Sequence, residues 1–173
     1  MNLEATVLIH RTPERVWAYL GDVSNVPKWD RGVAKVRQTS STQPGIGFEF
    51  DTLAHPSPGN AGQDPGKMSY RITDADPARG CTVQLTSSRG NARFFKAAEW
   101  RFQVMPAAEG SLVICAARFT LRLPYILLTP IFYGMRKAIR SDLENLKRAI
   151  ENDSATPIAH TVAPAYPRAN PLP

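Results

Sequence analysis

The side chains that could carry out chemistry are few and lie far apart in the sequence. His10, His55 and His160 each stand alone, and neither they nor the two cysteines have the spacing of a metal site. No nucleophile stands beside a base in a catalytic pattern. Gly45-Ile46-Gly47 lacks the third glycine of a phosphate-binding motif, and hairpin geometry explains it. The sequence therefore predicts neither a metal nor a cofactor.

Arg71 is a charged residue in a short segment, residues 68–72, in which apolar and polar residues alternate. A guanidinium is always protonated, and in a dry pocket it would stabilise an oxyanion strongly. Alternation along a strand, however, prevents Tyr70 and Arg71 from both facing inward unless the strand has a bulge. Met68, Tyr70 and Ile72 form the more apolar face, which favours an outward Arg71.

The elements that must position such side chains are organised around one long helix, predicted at residues 129–153. Thr129 is a good N-cap, and Pro130 suits the first helical position. At about 100° per residue, one narrow apolar face forms. Its members are Phe132, Met135, Ile139, Leu143, Leu146 and Ile150. Glu144 and Arg148, like Lys147 and Glu151, have the i,i+4 spacing of surface ion pairs.

The rest of the chain reads mainly as strands, which together supply a broad surface for that helix. Alternating hydrophobic residues predict strands at residues 3–10, 33–39, 45–50, 67–73, 81–88, 92–105 and 111–123. Thr12-Pro13-Glu14 begins a helix that Gly21 ends, and a second short helix or a turn is predicted at residues 22–28. Residues 55–66 contain too many helix and strand breakers for regular structure.

Composition indicates one globular domain, residues 1–153, followed by a Pro-rich flexible tail, residues 154–173. The net charge is +6, but the basic residues are dispersed, so we expect no nucleic acid partner. The sequence leaves undecided whether the protein makes a peripheral contact with an anionic membrane surface. It also leaves undecided whether the protein is a monomer or a homodimer. Cys81 and Cys115 form no CxxC motif, which favours a reduced, cytoplasmic protein. No apolar run is long enough to span a membrane.

Three local patterns, in this order of elements, resemble one family. Residues 7–17 (VLIHRTPERVW) resemble its opening strand and Pro-Glu-x-Val-Trp helix, residues 26–29 (VPKW) its tryptophan turn, and residues 142–147 (DLENLK) its closing helix. The chain is thus similar to the START-like helix-grip (SRPBCC) superfamily, closest to its polyketide cyclase/dehydrase branch. The resemblance implies an α+β fold of about six to seven antiparallel strands, curved around the long C-terminal helix, with two short helices after strand 1.

The resemblance also implies an apolar cavity between sheet and helix. The residues expected to line it as ligand-binding residues are Trp29, Phe48, Phe50, Tyr70, Trp100, Phe102, Phe119, Tyr125, Phe132, Tyr133 and Met135. Ser69-Tyr70-Arg71 resembles the Ser-x-Arg of the aromatase/cyclases, which makes Arg71 the implied catalytic residue. The loop before it lacks the tryptophans that this branch tends to have. As a whole, the resemblance implies a protein that binds a hydrophobic or aromatic small molecule in this cavity as a cofactor-independent cyclase/dehydrase, and a non-catalytic carrier of lipids, quinones or other hydrophobic ligands is the alternative.

Overall fold

The computed structural model describes residues 1–40, 45–56, 66–76, 80–90, 93–123, 125 and 134–153. The strands are β1 (Asn2–Ile9), β2 (Val33–Gln38), β3 (Glu49–Ala54), β4 (Lys67–Asp76), β5 (Gly80–Arg89), β6 (Phe95–Ala107) and β7 (Gly110–Leu121). The helices are α1 (Pro13–Gly21), α2 (Val26–Trp29) and α3 (Met135–Asn152), and a short 3-10 turn, Val23–Asn25, precedes α2. The Pro-rich tail lies outside the described residues.

The strands form a single seven-stranded sheet in the order β1-β7-β6-β5-β4-β3-β2, and all neighbours are antiparallel. The sheet is curled into a half-barrel, with α3 against it and α1 and α2 following β1. This arrangement confirms the predicted helix-grip fold. Because β1 pairs with β7 rather than with β2, the two short helices cross from one edge of the sheet to the other.

The apolar stripe of α3 is buried as the helical period predicts. Ile139, Leu143, Leu146 and Ile150 are at most 4% exposed and join the main hydrophobic core with residues of β1, β6 and β7. Met135 is half-buried at the first residue of the helix. The predicted start of the helix, residues 129–133, lies outside the described residues.

Only one of the two predicted surface ion pairs of α3 is present. Lys147 Nζ lies 2.9 Å from Glu151 Oε1, as the spacing predicts. Arg148 Nε instead donates to the backbone oxygen of Glu144 at 3.4 Å. The second pairing was therefore wrong, because the Arg148 side chain turns towards a neighbouring asparagine.

One prediction about β6 needs correction. Alternation along the predicted strand at residues 92–105 predicts that Phe94 shares a face with Ala98, Trp100, Phe102 and Val104. In the structure Phe95 is the buried residue, 5% exposed, and Phe94 precedes the strand. The register of β6 against β7 shifts between Phe95 and Ala97, which is the signature of a β-bulge. The extra residue moves the inward position by one.

Candidate ligand-binding site

The inner face of the sheet carries most of the predicted aromatic residues, and it brings them together in three groups. Phe48, Phe50 and Tyr70 form a ladder across β3 and β4, in which the Phe50 and Tyr70 rings stack at 5.7 Å between centroids. Trp100 meets Phe119 edge-on at 5.2 Å. The two groups are contiguous, because Trp100 also packs against the cluster that contains Tyr70.

Trp29 forms the third group, at the end of α2. Its ring meets Phe102 edge-on at 6.1 Å, so the short helix is attached to the inner face of β6. Tyr125 lies beyond the end of β7, where its ring centroid is 6.4 Å from that of Phe94, and it is not part of these groups. Phe132 and Tyr133 lie outside the described residues. The inner face is therefore aromatic along β3, β4, β6 and β7.

The Tyr70 hydroxyl is a polar group inside this aromatic surface. Tyr70 is 6% exposed, and its hydroxyl donates to the thioether sulfur of Met68 at 3.3 Å. A thioether is a weak acceptor, so this donor is only weakly satisfied. Burial raises the pKa of Tyr70, the charge of Asp30 adds to the rise, and a side-chain hydrogen bond from Trp100 opposes it. The hydroxyl therefore stays protonated and can donate.

Asp30 lies directly after α2 and is the main functional candidate that sequence reasoning missed. Its Oδ1 accepts the Gly32 N–H at 2.8 Å, and burial raises the pKa of its carboxyl group. Its charge acts on Tyr70 of β4, and on Cys115 of β7. A carboxyl group thus sits where α2 meets the inner face of the sheet. The only sequence signal for it is an acidic residue directly after the tryptophan turn.

Asp142 of α3 is a second carboxyl group near Asp30. Burial raises its pKa to about 6, and the charge of Asp30 contributes to the rise. The backbone N–H of Arg31, which lies 3.4 Å from Asp142 Oδ1, and the positive charge of its side chain oppose it. Two carboxyl groups with raised pKa values are candidates for acid and base roles.

Cys115 faces the same region from β7 but is not a reactive thiol. It is 2% exposed, and burial, together with the charges of Asp142 and Asp30, raises its pKa to about 12. Because the thiolate is the nucleophilic form, this cysteine stays inert at neutral pH. It contributes apolar packing to the core.

Arg71 lies on the other face of the sheet. Its side chain is 54% exposed and forms an ion pair with Glu49 of β3, to which its Nε donates at 2.7 Å. The neighbouring Asp51 pairs with Lys67 at 2.7 Å and accepts from Ser69 at 2.6 Å. The guanidinium therefore does not reach the inner face, and alternation, rather than the Ser-x-Arg resemblance, indicates its direction.

The histidines do not converge in the structure either. His10 follows β1 and contacts Glu151 at 3.0 Å, and His55 is exposed after β3. His160 lies outside the described residues. Within the described ranges, no three histidine, cysteine or acidic side chains are grouped as metal ligands would be.

Trp17 of α1 provides one more unusual polar group. Its indole ring packs against the main core, and its Nε1–H is buried without a hydrogen-bond partner in the described part of the chain. Buried donors in folded proteins are nearly always satisfied. An unpaired donor in the core beside the sheet is therefore a further candidate for contact with a ligand or a water molecule.

Comparison with family models identifies the chain. Residues 1–151 match the model of the family described as polyketide cyclase / dehydrase and lipid transport. The chain belongs to this family. A search of curated protein sequences found no match.

Solved structures with the same fold share little sequence with this family member. The TTHA0849 protein of Thermus thermophilus is 16% identical, with a TM-score of 0.70 over 90% of this chain and 100% of that one. The Zhui aromatase/cyclase of Streptomyces sp. R1128 is 14% identical, with a TM-score of 0.69 over 87% and 93%. Ara h 8.0201 is 12% identical, with a TM-score of 0.66 over 87% and 97%. At such identities these similarities concern the fold.

None of the helices in the described ranges is both long and apolar enough to cross a membrane.

Proposed function

We propose that this protein binds a hydrophobic or aromatic small molecule between the inner face of the sheet and α3, and that it acts on this ligand as a cofactor-independent cyclase/dehydrase. The family match supports ligand binding in general, and the aromatic inner face supports an aromatic or polyketide-type ligand. Aromatic rings bury a large apolar area and prefer stacked or edge-to-face partners, which a planar ligand provides.

The observation that carries the proposal is the Tyr70 hydroxyl, a buried donor that has only a thioether as its acceptor. A ligand carbonyl oxygen is a far better acceptor than sulfur. We assign to Tyr70 the role of donating to such a carbonyl. When the carbonyl becomes an enolate, its oxygen gains negative charge and this hydrogen bond strengthens, so Tyr70 stabilises the reaction more than the bound ligand.

Asp30 is the proposed acid–base residue for the same step. As a carboxylate it removes a proton from the carbon next to the ligand carbonyl, and the electron pair of the C–H bond becomes the enolate. The enolate carbon then attacks a second carbonyl of the ligand. The attack gives an alkoxide, and the protonated Asp30 returns its proton to that oxygen, which makes a hydroxyl group. In the dehydration, Asp30 removes the second proton from the attacking carbon, the electron pair of that C–H bond forms the C=C bond, and the hydroxyl group receives the proton from Asp30 and leaves as water. A raised pKa suits both roles, because proton transfer is most effective when the pKa of the acid–base group lies near the working pH.

The ligand-binding residues in this proposal are those of the three aromatic groups on the inner face. They are Trp29, Phe48, Phe50, Tyr70, Trp100, Phe102 and Phe119. The proposed set also keeps Met135, Tyr125, Phe132 and Tyr133, which the family resemblance implies. Arg71 is not included as a catalytic residue, because its guanidinium pairs with Glu49 on the outer face. The cytoplasm remains the proposed compartment, since both cysteines are free thiols.

A non-catalytic carrier of lipids, quinones or other hydrophobic ligands is the second candidate. It is favoured by the inert Cys115 thiol and by an inner face whose side chains are mostly hydrocarbon. The two candidates differ in what Asp30 and Tyr70 do. In a carrier they orient the ligand, whereas in an enzyme they move a proton and stabilise charge.

Two measurements test the proposal. Native mass spectrometry of the freshly purified protein detects any hydrophobic molecule that co-purifies. Deuterium exchange at the methyl group of an aryl methyl ketone, followed by NMR, reports proton abstraction next to a carbonyl. Tyr70→Phe and Asp30→Asn are expected to lower the exchange rate by about 100-fold, as general acid–base groups do. Tyr19→Phe is the matched control, because this buried tyrosine of α1 is not among the proposed ligand-binding residues.

The outcomes separate the two candidates. Saturable binding of the ketone with exchange that depends on Asp30 supports the enzyme. Binding without any protein-dependent exchange supports the carrier and contradicts the catalytic roles. If no molecule co-purifies and the ketone does not bind, ligand binding at this site is contradicted altogether.

A further inference from the structure

A surface groove between α2 and α3 is distinct from the inner face of the sheet. It has a volume of about 320 Å³ and is lined by Lys28, Asn145, Arg148, Ala149 and Asn152. We call it the α2–α3 groove. Its walls carry two cations, one from each helix, and two asparagine amides. A third cation, Arg31, reaches its rim, where its Nη2 lies 3.5 Å from Asn145 Oδ1.

The cations of the α2–α3 groove have neutral partners. Lys28 Nζ donates to Asn25 Oδ1 at 2.7 Å, and Arg148 Nη2 donates to Asn145 Oδ1 at 2.5 Å. In the described part of the chain, none of Lys28, Arg31 and Arg148 lies within ion-pair distance of a carboxylate, although the charge of Arg31 does act on Asp142. Elsewhere Arg15, Lys67, Arg71 and Lys147 all have such partners.

Asn145 holds this arrangement together. Its Nδ2 donates to the backbone oxygen of Trp29 at 3.2 Å, which fixes α3 to the end of α2. Its Oδ1 accepts from both Arg31 and Arg148, so two guanidinium groups are gathered around one amide. Like charges that are held close repel each other, and an anion placed between them relieves this repulsion. Side chains that are already positioned also lose less entropy when the anion binds.

We propose that the α2–α3 groove binds a phosphate-type oxyanion, either a soluble phosphate ester or the headgroup of an anionic phospholipid. Arg148 and Arg31 present planar N–H donors, which match the oxygens of a phosphate, and Lys28 adds a point charge from the other helix. A volume of about 320 Å³ has room for a headgroup-sized anion. This site goes beyond the proposed function, because it uses none of the residues of the inner face.

The α2–α3 groove has a direct connection to the ligand-binding face. Asn145 contacts the backbone of Trp29, and the Trp29 ring contacts Phe102 on β6. An anion that displaces the Asn145 side chain therefore also affects Trp29, which belongs to the inner face. Trp29 consequently provides a fluorescence signal for anion binding.

The experiment uses the full chain and two probes, inorganic phosphate and phosphatidylcholine vesicles that contain phosphatidylglycerol. Binding is followed by the side-chain amide NMR signals of Asn145 and Asn152 for phosphate, and by co-sedimentation for vesicles. Sodium chloride at matched ionic strength is the control for general screening. The variant is Lys28→Gln with Arg148→Gln. Its matched control is Lys35→Gln with Lys96→Gln, which removes the same charge from exposed positions on β2 and β6.

The proposal predicts saturable binding of at least one probe, weakened about tenfold or more in the groove variant and by less than about twofold in the control variant. Saturation by phosphate assigns the site to soluble phosphate esters, whereas binding to vesicles alone assigns it to lipid headgroups. Arg148→Lys, which keeps the charge but loses the planar fork, should bind with intermediate affinity. Equal losses in both double variants, or shifts that chloride reproduces, would overturn the proposal, whatever the outcome at the inner face.

Discussion

Arg71 and Glu49 pair across neighbouring strands on the outer face of the sheet, directly behind the stacked rings of Phe50 and Tyr70 on the inner face. The pairing follows the register of β3 and β4, in which Glu49 is opposite Arg71 and Phe50 is opposite Tyr70. Neighbouring residues of β4 thus differ in environment. Arg71 is solvated and paired, whereas Tyr70 is buried at the proposed site.

This geometry predicts that Arg71→Ala leaves ligand binding and ketone exchange within about twofold of the parent, because exposed ion pairs contribute little. Tyr70→Phe, one residue away, is the comparison that should lose exchange. The measurement is the deuterium exchange rate at saturating ketone. A loss of activity in Arg71→Ala as large as that in Tyr70→Phe would contradict the outward position of the guanidinium.

The packing of α3 predicts a severe effect of Leu143→Asp. Leu143 is 1% exposed, so the change would bury an unpaired carboxylate and cost several kcal/mol. The variant is expected to be insoluble or to lose its cooperative melting transition in circular dichroism. Arg140→Asp, at an exposed position one turn earlier on the same helix, is the control. A Leu143→Asp protein that melts within a few degrees of the parent would show that α3 does not pack as described.

Much of the architecture could be predicted because it depends on local periodicity. The 3.6-residue period located the buried stripe of α3, and alternation located the strands and the direction of Arg71. The β-bulge that replaces Phe94 by Phe95 on the inner face escaped prediction, because one extra residue changes the parity without changing the residue types.

The candidate site was only partly predictable for a different reason. The residue type alone predicts that the aromatic side chains are buried, whereas an aspartate usually lies at the surface. Asp30 is half-buried because it directly follows α2, which packs against α3, and its neighbour Asp142 is more than a hundred residues away in the chain. A pattern within a short stretch of sequence therefore cannot predict that Asp30 and Asp142 lie close together.

A network around Glu151 connects the end of β1 to the end of α3. Glu151 Oε1 accepts from the His10 backbone N–H at 2.8 Å and from Lys147 at 2.9 Å. Burial alone would raise the pKa of Glu151, but these hydrogen bonds, one with the His10 ring and the charge of Lys147 lower it to about 2. A lowered pKa contributes stability above about pH 4.5, which is lost as the pH falls through 2.

We therefore expect Glu151→Gln to destabilise the protein at pH 7 by about 1 kcal/mol, or roughly 3 °C in Tm. The difference from the parent should shrink as the pH falls towards 2, where the parent carboxylate is protonated. Thermal unfolding across this range measures it. Glu144→Gln, exposed on the same helix, is the control. A difference that stays constant with pH would mean that the carboxylate charge does not stabilise the network.

The raised pKa of Asp142 predicts that stability depends on pH in the opposite direction to the contribution of Glu151. Burial and the charge of Asp30 raise its pKa from 3.8 to about 6. The folded protein therefore holds a proton on Asp142 more tightly than the unfolded chain does. This contribution to stability is fully present below about pH 4 and is lost as the pH rises through 6. Between these values, the protonation of Asp142 favours folding.

Asp142→Asn keeps an acceptor for the Arg31 N–H but cannot ionise. Its melting temperature relative to the parent is expected to be higher at pH 7.5 than at pH 5, because only the parent has to hold a charge beside Asp30 and Cys115 at the higher pH. Glu4→Gln, at an exposed position on β1, is the control and should follow the parent at both values. If the melting temperature of the variant relative to the parent is the same at both pH values, burial and the charge of Asp30 do not raise the pKa of Asp142 as the structure indicates.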